Sequence, residues 1–178
     1  MWETWEQLQS NGLASYEADP ESNLGVGERQ DCISFSRFAE LRGLVLAVGC
    51  GPQAWPSYLE VHERGTRFVG VDPLEGEREA SYTQLRALAE HLPFADGSFD
   101  RVLFATTLDH FVDPVAALLE AKRVLGPDGR IAVWLGHKRP DAPALESSPE
   151  WYRRLEVPDG ADDEIGRASC RERVYVLV

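Results

Sequence analysis

The sequence predicts an α/β fold, a doubly wound sheet of mainly parallel strands with helices on both faces. Three observations predict it. From Gly43 onward, short apolar runs alternate with segments of helical character. The runs "LVLAV", "RVLFA" and "RIAVWL" are continuous rather than alternating, as strands buried on both faces are. The first of them leads directly into a glycine pair, Gly49 and Gly51. Such βαβ alternation implies right-handed crossovers and a three-layer αβα arrangement. Ligands in that architecture bind beyond the carboxyl ends of the strands, where the strand order switches.

Each element has its own signal. Residues 1–10 are expected to be helical, with Trp2, Trp5 and Leu8 at helical spacing. Residues 11–31, rich in Gly, Asn, Ser and acids, read as loop. "CISFSRFAELRG" reads as a helix with Ile33, Phe35, Phe38 and Leu41 apolar and Gly43 as its stop. Leu44 to Val48 is the first strand, Tyr58 to Arg64 a short helix closed by Gly65, and Arg67 to Val71 the second strand. Gly76 to Arg86 is expected to be helical, Ala87 to Ala89 a brief third strand and Arg101 to Ala105 a fourth. The next helix has the clearest signals. Asp113 can cap it, Pro114 suits its first turn, and Val115, Leu118, Leu119 and Leu125 are placed on one face. Gly126-Pro127 stops it, and Arg130 to Leu135 is the fifth strand.

The 178 residues suit one domain able to bury a core without disulfides or metals. A net charge of -12 would be repelled by phosphate backbones and anionic membrane surfaces. No nucleic-acid partner and no membrane insertion are therefore expected. Cys32, Cys50 and Cys170 are odd in number and scattered, which argues against a disulfide framework or a zinc site and fits a cytoplasmic setting; no metal is expected. Residues Glu164 to Val174, "EIGRASCRERV", match the in-frame translation of a widely used DNA-sequencing adapter. Residues 164–178 are accordingly expected to be a non-native tail, with the native sequence leaving off near Asp163 and the last strands missing. The competing reading is a native edge strand, since "VYVLV" has strand propensity.

Gly49 and Gly51 let the backbone turn sharply and lie against a ligand. Asp72 ends the second strand about 21 residues after Gly51, near the spacing at which an acid grips both hydroxyls of a ribose; the competing reading is a plain tight turn at the glycines with Asp72 capping the next segment. Gly49-x-Gly51-x-x-Ala54 also satisfies the looser dinucleotide fingerprint, which keeps an NAD-binding oxidoreductase open. Pro56 weakens that reading, because it delays the helix whose amino terminus would hold a pyrophosphate.

From Ala87 the chain reads "ALAEHLPFADGSFDRVLFATTLDHFVDPVAALLEAKRVLGPDGRIAVWLG". With "VGCGP" and "GVDP" before it, this resembles the class I S-adenosylmethionine-dependent methyltransferases, in the type 11-like group with an "LPF-x-D-x-SFD" loop and an "RVL-x-P-x-G" turn. The resemblance spans Gly43 to Gly136 and implies a Rossmann-like core with S-adenosylmethionine as cofactor. It divides the chain into an N-terminal helical and loop segment (1–42), the cofactor-binding core (43–136), a partial substrate-side segment (137–163) and the tail (164–178).

The resemblance also implies roles. Val48, Gly49, Cys50 and Gly51 would lie along the methionine part of the cofactor, Asp72 would bind the ribose hydroxyls, and Pro73 would shape the wall beside it. Ala89 would offer its backbone to the adenine, with Glu90 and Leu92 nearby, and Ala105 to Thr107 would line the methyl-donor end, Thr106 among them. Asp109 and His110 are the acceptor-side candidates for catalysis; they read equally as solvated loop residues leading into the Asp113 cap. The implied acceptor is a small molecule or a cell-envelope or lipid precursor. Four positions depart from the pattern, the mildest being Asp128 in "GPDGR", in place of a glycine and easily tolerated by a turn. Ala47 replaces an acid that helps hold the methionine amino group, Gln53 replaces a third glycine, and Leu88 replaces an acid that contacts the adenine amine. These departures keep a catalytically silent binding module open beside the enzyme.

Overall fold

The computed structural model describes residues 2–6, 30–52, 54–74, 81–136 and 172–177. Gln53, Cys170 and the expected substrate-side segment 137–163 lie outside the described residues. Six strands form one sheet: β1 (Leu44–Val48), β2 (Arg67–Asp72), β3 (Thr83–Arg86), β4 (Phe99–Ala105), β5 (Leu125–Gly136) and β6 (Glu172–Leu177). Their spatial order is β3-β2-β1-β4-β5-β6. The first five run parallel, and β6 pairs antiparallel to β5. The order reverses between β1 and β4, so the switch point lies at the glycine pair.

Side chains alternate along the strands and sort into two cores, one under each helix. Helix α1 (Gln30–Ala39) packs Cys32, Phe35 and Ala39 against Val45, Phe68, Leu103 and Trp134. Helix α2 (Pro114–Val124) packs Ala117, Ala121 and Val124 against Leu46, Val102, Phe104 and Val133. This is the three-layer αβα arrangement expected.

Polar clasps at the amino ends of the strands hold α1 to the sheet. Arg101, wholly buried, donates from Nε to the carbonyls of Ala39 and Glu40, both at 3.1 Å, and from Nη1 to Asp100 O at 2.7 Å. It thereby satisfies helix-end carbonyls that have no partner within the helix. Asp100 Oδ2 in turn accepts from Leu44 N at 2.7 Å, fixing the start of β1 against β4.

Several local expectations are corrected. The helix expected at Tyr58–Arg64 is a single 3-10 turn, Ser57–Leu59. Its continuation is intercepted because Glu63 N donates to Leu41 O at 2.9 Å, drawing the chain toward β2 instead of up a helix. Thr83–Arg86 is a strand rather than the end of a helix, and Ala87–Ala89 lies beyond it; parallel pairing from Val69↔Thr83 to Asp72↔Arg86 overrides local propensity. Residues 75–80 of that expected helix lie outside the described residues.

The amino-terminal cap of α2 is as expected: Asp113 Oδ1 accepts from Val115 N and Ala116 N, both at 3.0 Å, and Pro114 stands in the first turn. Its carboxyl end is corrected, since Leu125 is already extended and β5 takes in Gly126-Pro127 ahead of the expected start at Arg130. The buried face of the helix differs as well. Val115 and Leu119 are 64% and 62% exposed, while the alanines Ala117 and Ala121 face the sheet. Small side chains let the helix lie close to the strands, which bulkier residues there would prevent.

Within the expected non-native tail, residues 172–177 form β6, paired with β5 from Ile131↔Leu177 to Gly136↔Glu172. Strand formation here follows from the β-branched run "VYVLV" and the open edge of β5, and holds whatever the origin of the segment.

Candidate functional site

The carboxyl ends of β1, β2 and β4 meet at the switch point and carry most of the expected residues. After Val48 the backbone turns through Gly49 and Gly51, with φ of 71° and 69°. These lie in the left-handed region that glycine enters without steric cost. A side chain at Gly49 would also collide with Thr107, whose Cβ would lie 2.7 Å away. The turn is pinned from below, Gly49 N and Cys50 N both donating to Val71 O at 2.8 and 3.2 Å.

Asp72 joins this turn to the segment after β2. Its Oδ2 accepts from Gly51 N at 2.7 Å and its Oδ1 from Leu74 N at 2.8 Å. Each oxygen keeps acceptor capacity for a second donor. Burial pushes the carboxyl up to about 6, against the pull of the two backbone donors and the charge of His110. Pro73, beside it, has its carbonyl fixed by Arg86 Nε at 3.0 Å.

Beneath the turn lies a floor of neutral groups. Burial, then Asp72, pushes the Cys50 thiol up to about 12, so it stays a thiol. The Tyr58 and Tyr82 hydroxyls are likewise raised by burial. Gly70 makes room for this floor, since a Cβ there would come within 2.6 Å of Cys50 Sγ.

The opposite wall comes from the end of β4. Thr107 Oγ1 donates to Val48 O at 3.1 Å, tying the two strand ends together. Thr106 is exposed and held at a φ of 58°, a left-handed conformation that is strained for a β-branched residue. Its N–H donates to Trp134 O at 2.8 Å. Asp109 and His110 follow in a 3-10 turn, Leu108–His110.

Ala89 is buried past β3. Glu90, next to it, is buried too, and its Oε1 accepts from Val112 N at 2.9 Å and Asp113 N at 3.0 Å, tying it to the loop before α2. Ala47 and Leu88, two of the departures, are both buried and apolar.

Sequence reasoning missed a second clasp. Arg123 donates to Phe94 O, Leu92 O and Asp96 Oδ1 and pairs with Glu120, whose Oε2 accepts from Leu92 N. The spacing of Glu120 and Arg123, three apart on a helix, was its only visible signal. Among the described residues no group of three or more His, Cys, Asp or Glu could hold a metal ion. No described helix is long and apolar enough to cross a membrane.

A parallel sheet with a glycine turn and a carboxylate at its switch point defines a Rossmann-like ligand-binding domain. Residues 46–133, just under half of the chain, match the family model of a methyltransferase domain, to whose members this segment is similar.

Its relatives agree. The methyltransferase GfsG of Streptomyces halstedii is 33% identical over 104 residues, 50% of this chain and 36% of the relative. A demethylmenaquinone methyltransferase of Lactiplantibacillus plantarum is 40% identical over 73 residues, 41% of this chain and 30% of the relative. The chain thus spans well under half the length of these relatives.

Among solved structures, the 1,6-didemethyltoxoflavin-N1-methyltransferase of Burkholderia thailandensis, with S-adenosylhomocysteine bound, has a TM-score of 0.58 at 19% identity, covering 75% of this chain and 63% of that one. A possible histamine N-methyltransferase of Thermotoga maritima has a TM-score of 0.54 at 24% identity, covering 74% and 62%. At these identities the likeness is one of fold.

Proposed function

We propose that this chain binds S-adenosylmethionine at the switch point and transfers its methyl group to a small-molecule acceptor, of which a cell-envelope or lipid precursor is one class. The observation that carries the reading is the Asp72 carboxylate, fixed by Gly51 and Leu74 with acceptor capacity left on both oxygens. Such a group accepts from two vicinal hydroxyls at once. The residues present fit the cofactor: Asp72 for the ribose, the Gly49–Gly51 backbone for the chain beyond it, and the Ala89 backbone for the adenine.

When bound, S-adenosylmethionine supplies an electrophilic methyl group on a sulfonium. Displacement at such a carbon gains most from alignment, which the Thr106–Thr107 wall supports by fixing the end of β4. His110, at the mouth, can take a proton from an acceptor that must lose one. Cys32 and Cys50, both buried and in no disulfide, are in keeping with a cytoplasmic setting.

One observation favours a second reading, a binding module without transfer. Ala47 is fully buried beside Gly70 and Leu103 and offers no charge toward the amino-acid end of the cofactor. A fold of this kind also occurs in the cyclase SpnF, at a TM-score of 0.51, and fold alone does not fix a reaction. The NAD reading loses its support, because a three-residue 3-10 turn follows the glycines in place of the helix that would hold a pyrophosphate.

Calorimetric titration with S-adenosylhomocysteine and with NAD separates these readings. Heat with the first alone is expected, and tight NAD binding overturns the proposal. Binding without methyl transfer across a panel of small acceptors points to the silent module.

A further inference from the structure

Among the described residues, two buried side-chain nitrogens have no hydrogen-bond partner: Arg101 Nη2 and Trp134 Nε1. The first lies 3.8 Å from Glu40 Oε2, so its charge has an opposite neighbour. The second has nothing. Trp134 is 3% exposed, and a buried indole N–H ordinarily finds an acceptor.

Its position gives the orphan a meaning. Trp134 stands opposite Ala105 in the register, near the carboxyl end of β5, with its ring against Phe35 of α1 at 5.4 Å between centroids. Its carbonyl holds the strained Thr106. The row below it on the same face is Ala47, Leu103 and Ala132, none of which carries a charge or a hydrogen-bonding side chain. Asp72, Gly49, Thr106 and Trp134 stand at the ends of four successive strands, β2, β1, β4 and β5. With neighbouring strands ~4.8 Å apart, a ligand held at Asp72 and laid across the glycine turn runs toward Trp134. An amino-acid tail presents an ammonium, which needs an acceptor, and a carboxylate, which needs a donor. The unmet polar side-chain atom at this end of the α1 face is a donor.

We propose that Trp134 Nε1–H binds an oxygen of the carboxylate at the methionine end of S-adenosylmethionine. The inference rests on the cofactor reading above. The tail is thus recognised through its carboxylate, with Ala47 leaving the ammonium to solvent or backbone.

The test is a calorimetric cycle on the full chain. Wild type and Trp134→Phe, which keeps an aromatic ring and loses the N–H, are each titrated with S-adenosylhomocysteine and with its decarboxylated analogue. Wild type is expected to bind the analogue about tenfold more weakly than S-adenosylhomocysteine. Trp134→Phe should bind S-adenosylhomocysteine about tenfold more weakly than wild type and no longer distinguish the two. Without ligand the variant is expected to melt somewhat lower, because the smaller ring leaves a cavity in the core, so the readout is the discrimination between the two ligands and not stability. Equal binding of both ligands by wild type overturns the proposal, even if the variant fails to fold. So does a variant that keeps wild-type affinity or wild-type discrimination. If wild type gives no heat with S-adenosylhomocysteine, the cofactor reading itself fails, and that result precedes any use of the variant.

Discussion

At the scale of single residues, Asp72 and Thr106 hold opposite walls of the site under different kinds of tension. Asp72 has a carboxyl raised from 3.8 to about 6, with burial as the main cause. The folded state therefore holds its proton more tightly than the unfolded chain. Its contribution to stability is largest below pH 4 and is lost as pH rises through about 6. Ligand binding has the opposite dependence, because the ionised carboxylate is the better acceptor for two hydroxyls. S-adenosylhomocysteine affinity is expected to rise with pH and level off above about 6 in calorimetric titrations. Asp72→Asn should flatten that profile and weaken binding by about tenfold or more. Thr106→Gly should raise the midpoint of thermal unfolding, since relief of a strained φ is worth about 1 kcal/mol or more; a lower midpoint would show that the hydroxyl or methyl group stabilises the wall. Asp72 was legible in place, as an acid at the end of a strand at a set distance from a glycine pair; its bonds to Gly51 and Leu74 were not. The strain at Thr106 was not, because no residue type announces a positive φ that is imposed by a partner on β5. The bonds of Glu90 to Val112 and Asp113 were not legible either, since they join residues more than twenty apart in sequence.

At the scale of elements, strands and the amino-terminal cap of α2 were read well, faces, connections and the carboxyl end of α2 less so. The "LVLAV" run gave β1 with its bounds, and Asp113-Pro114 gave the start of α2, because both depend on neighbours in sequence. The chain between β1 and β2 depends on the Glu63–Leu41 bond, which joins residues far apart in sequence. Apolar character alone likewise put Val115 and Leu119 on the buried face of α2, where the closeness of the sheet selects alanine instead. Substitutions can check that face by chemical denaturation. Leu119→Lys should change stability by no more than about 0.5 kcal/mol, as at an ordinary surface position. Ala121→Leu should cost about 1–3 kcal/mol by overpacking against the strands.

At the scale of the whole molecule, the sheet is protected unequally at its two margins. Trp2, in the helical turn at residues 2–6, lies over the guanidinium of Arg86 at 4.9 Å, beside the β3 edge. The β5 margin is covered by β6. Deleting residues 172–177 should expose the hydrogen-bonding groups of Ile131–Gly136, lower the thermal midpoint and increase light scattering on heating. An unchanged midpoint would mean that β6 adds nothing to the stability of the sheet. The two glutamates at the foot of α2 have a consequence on this scale too. Glu90, next to Ala89, grips the backbone leading into α2, while Glu120 of α2 reaches back to Leu92. The two segments are thus laced in both directions, so neither loosens alone. A ligand that settles against Ala89 would quiet the approach to His110 as well, so that occupancy at one end of the cleft would register as slower amide exchange at the other.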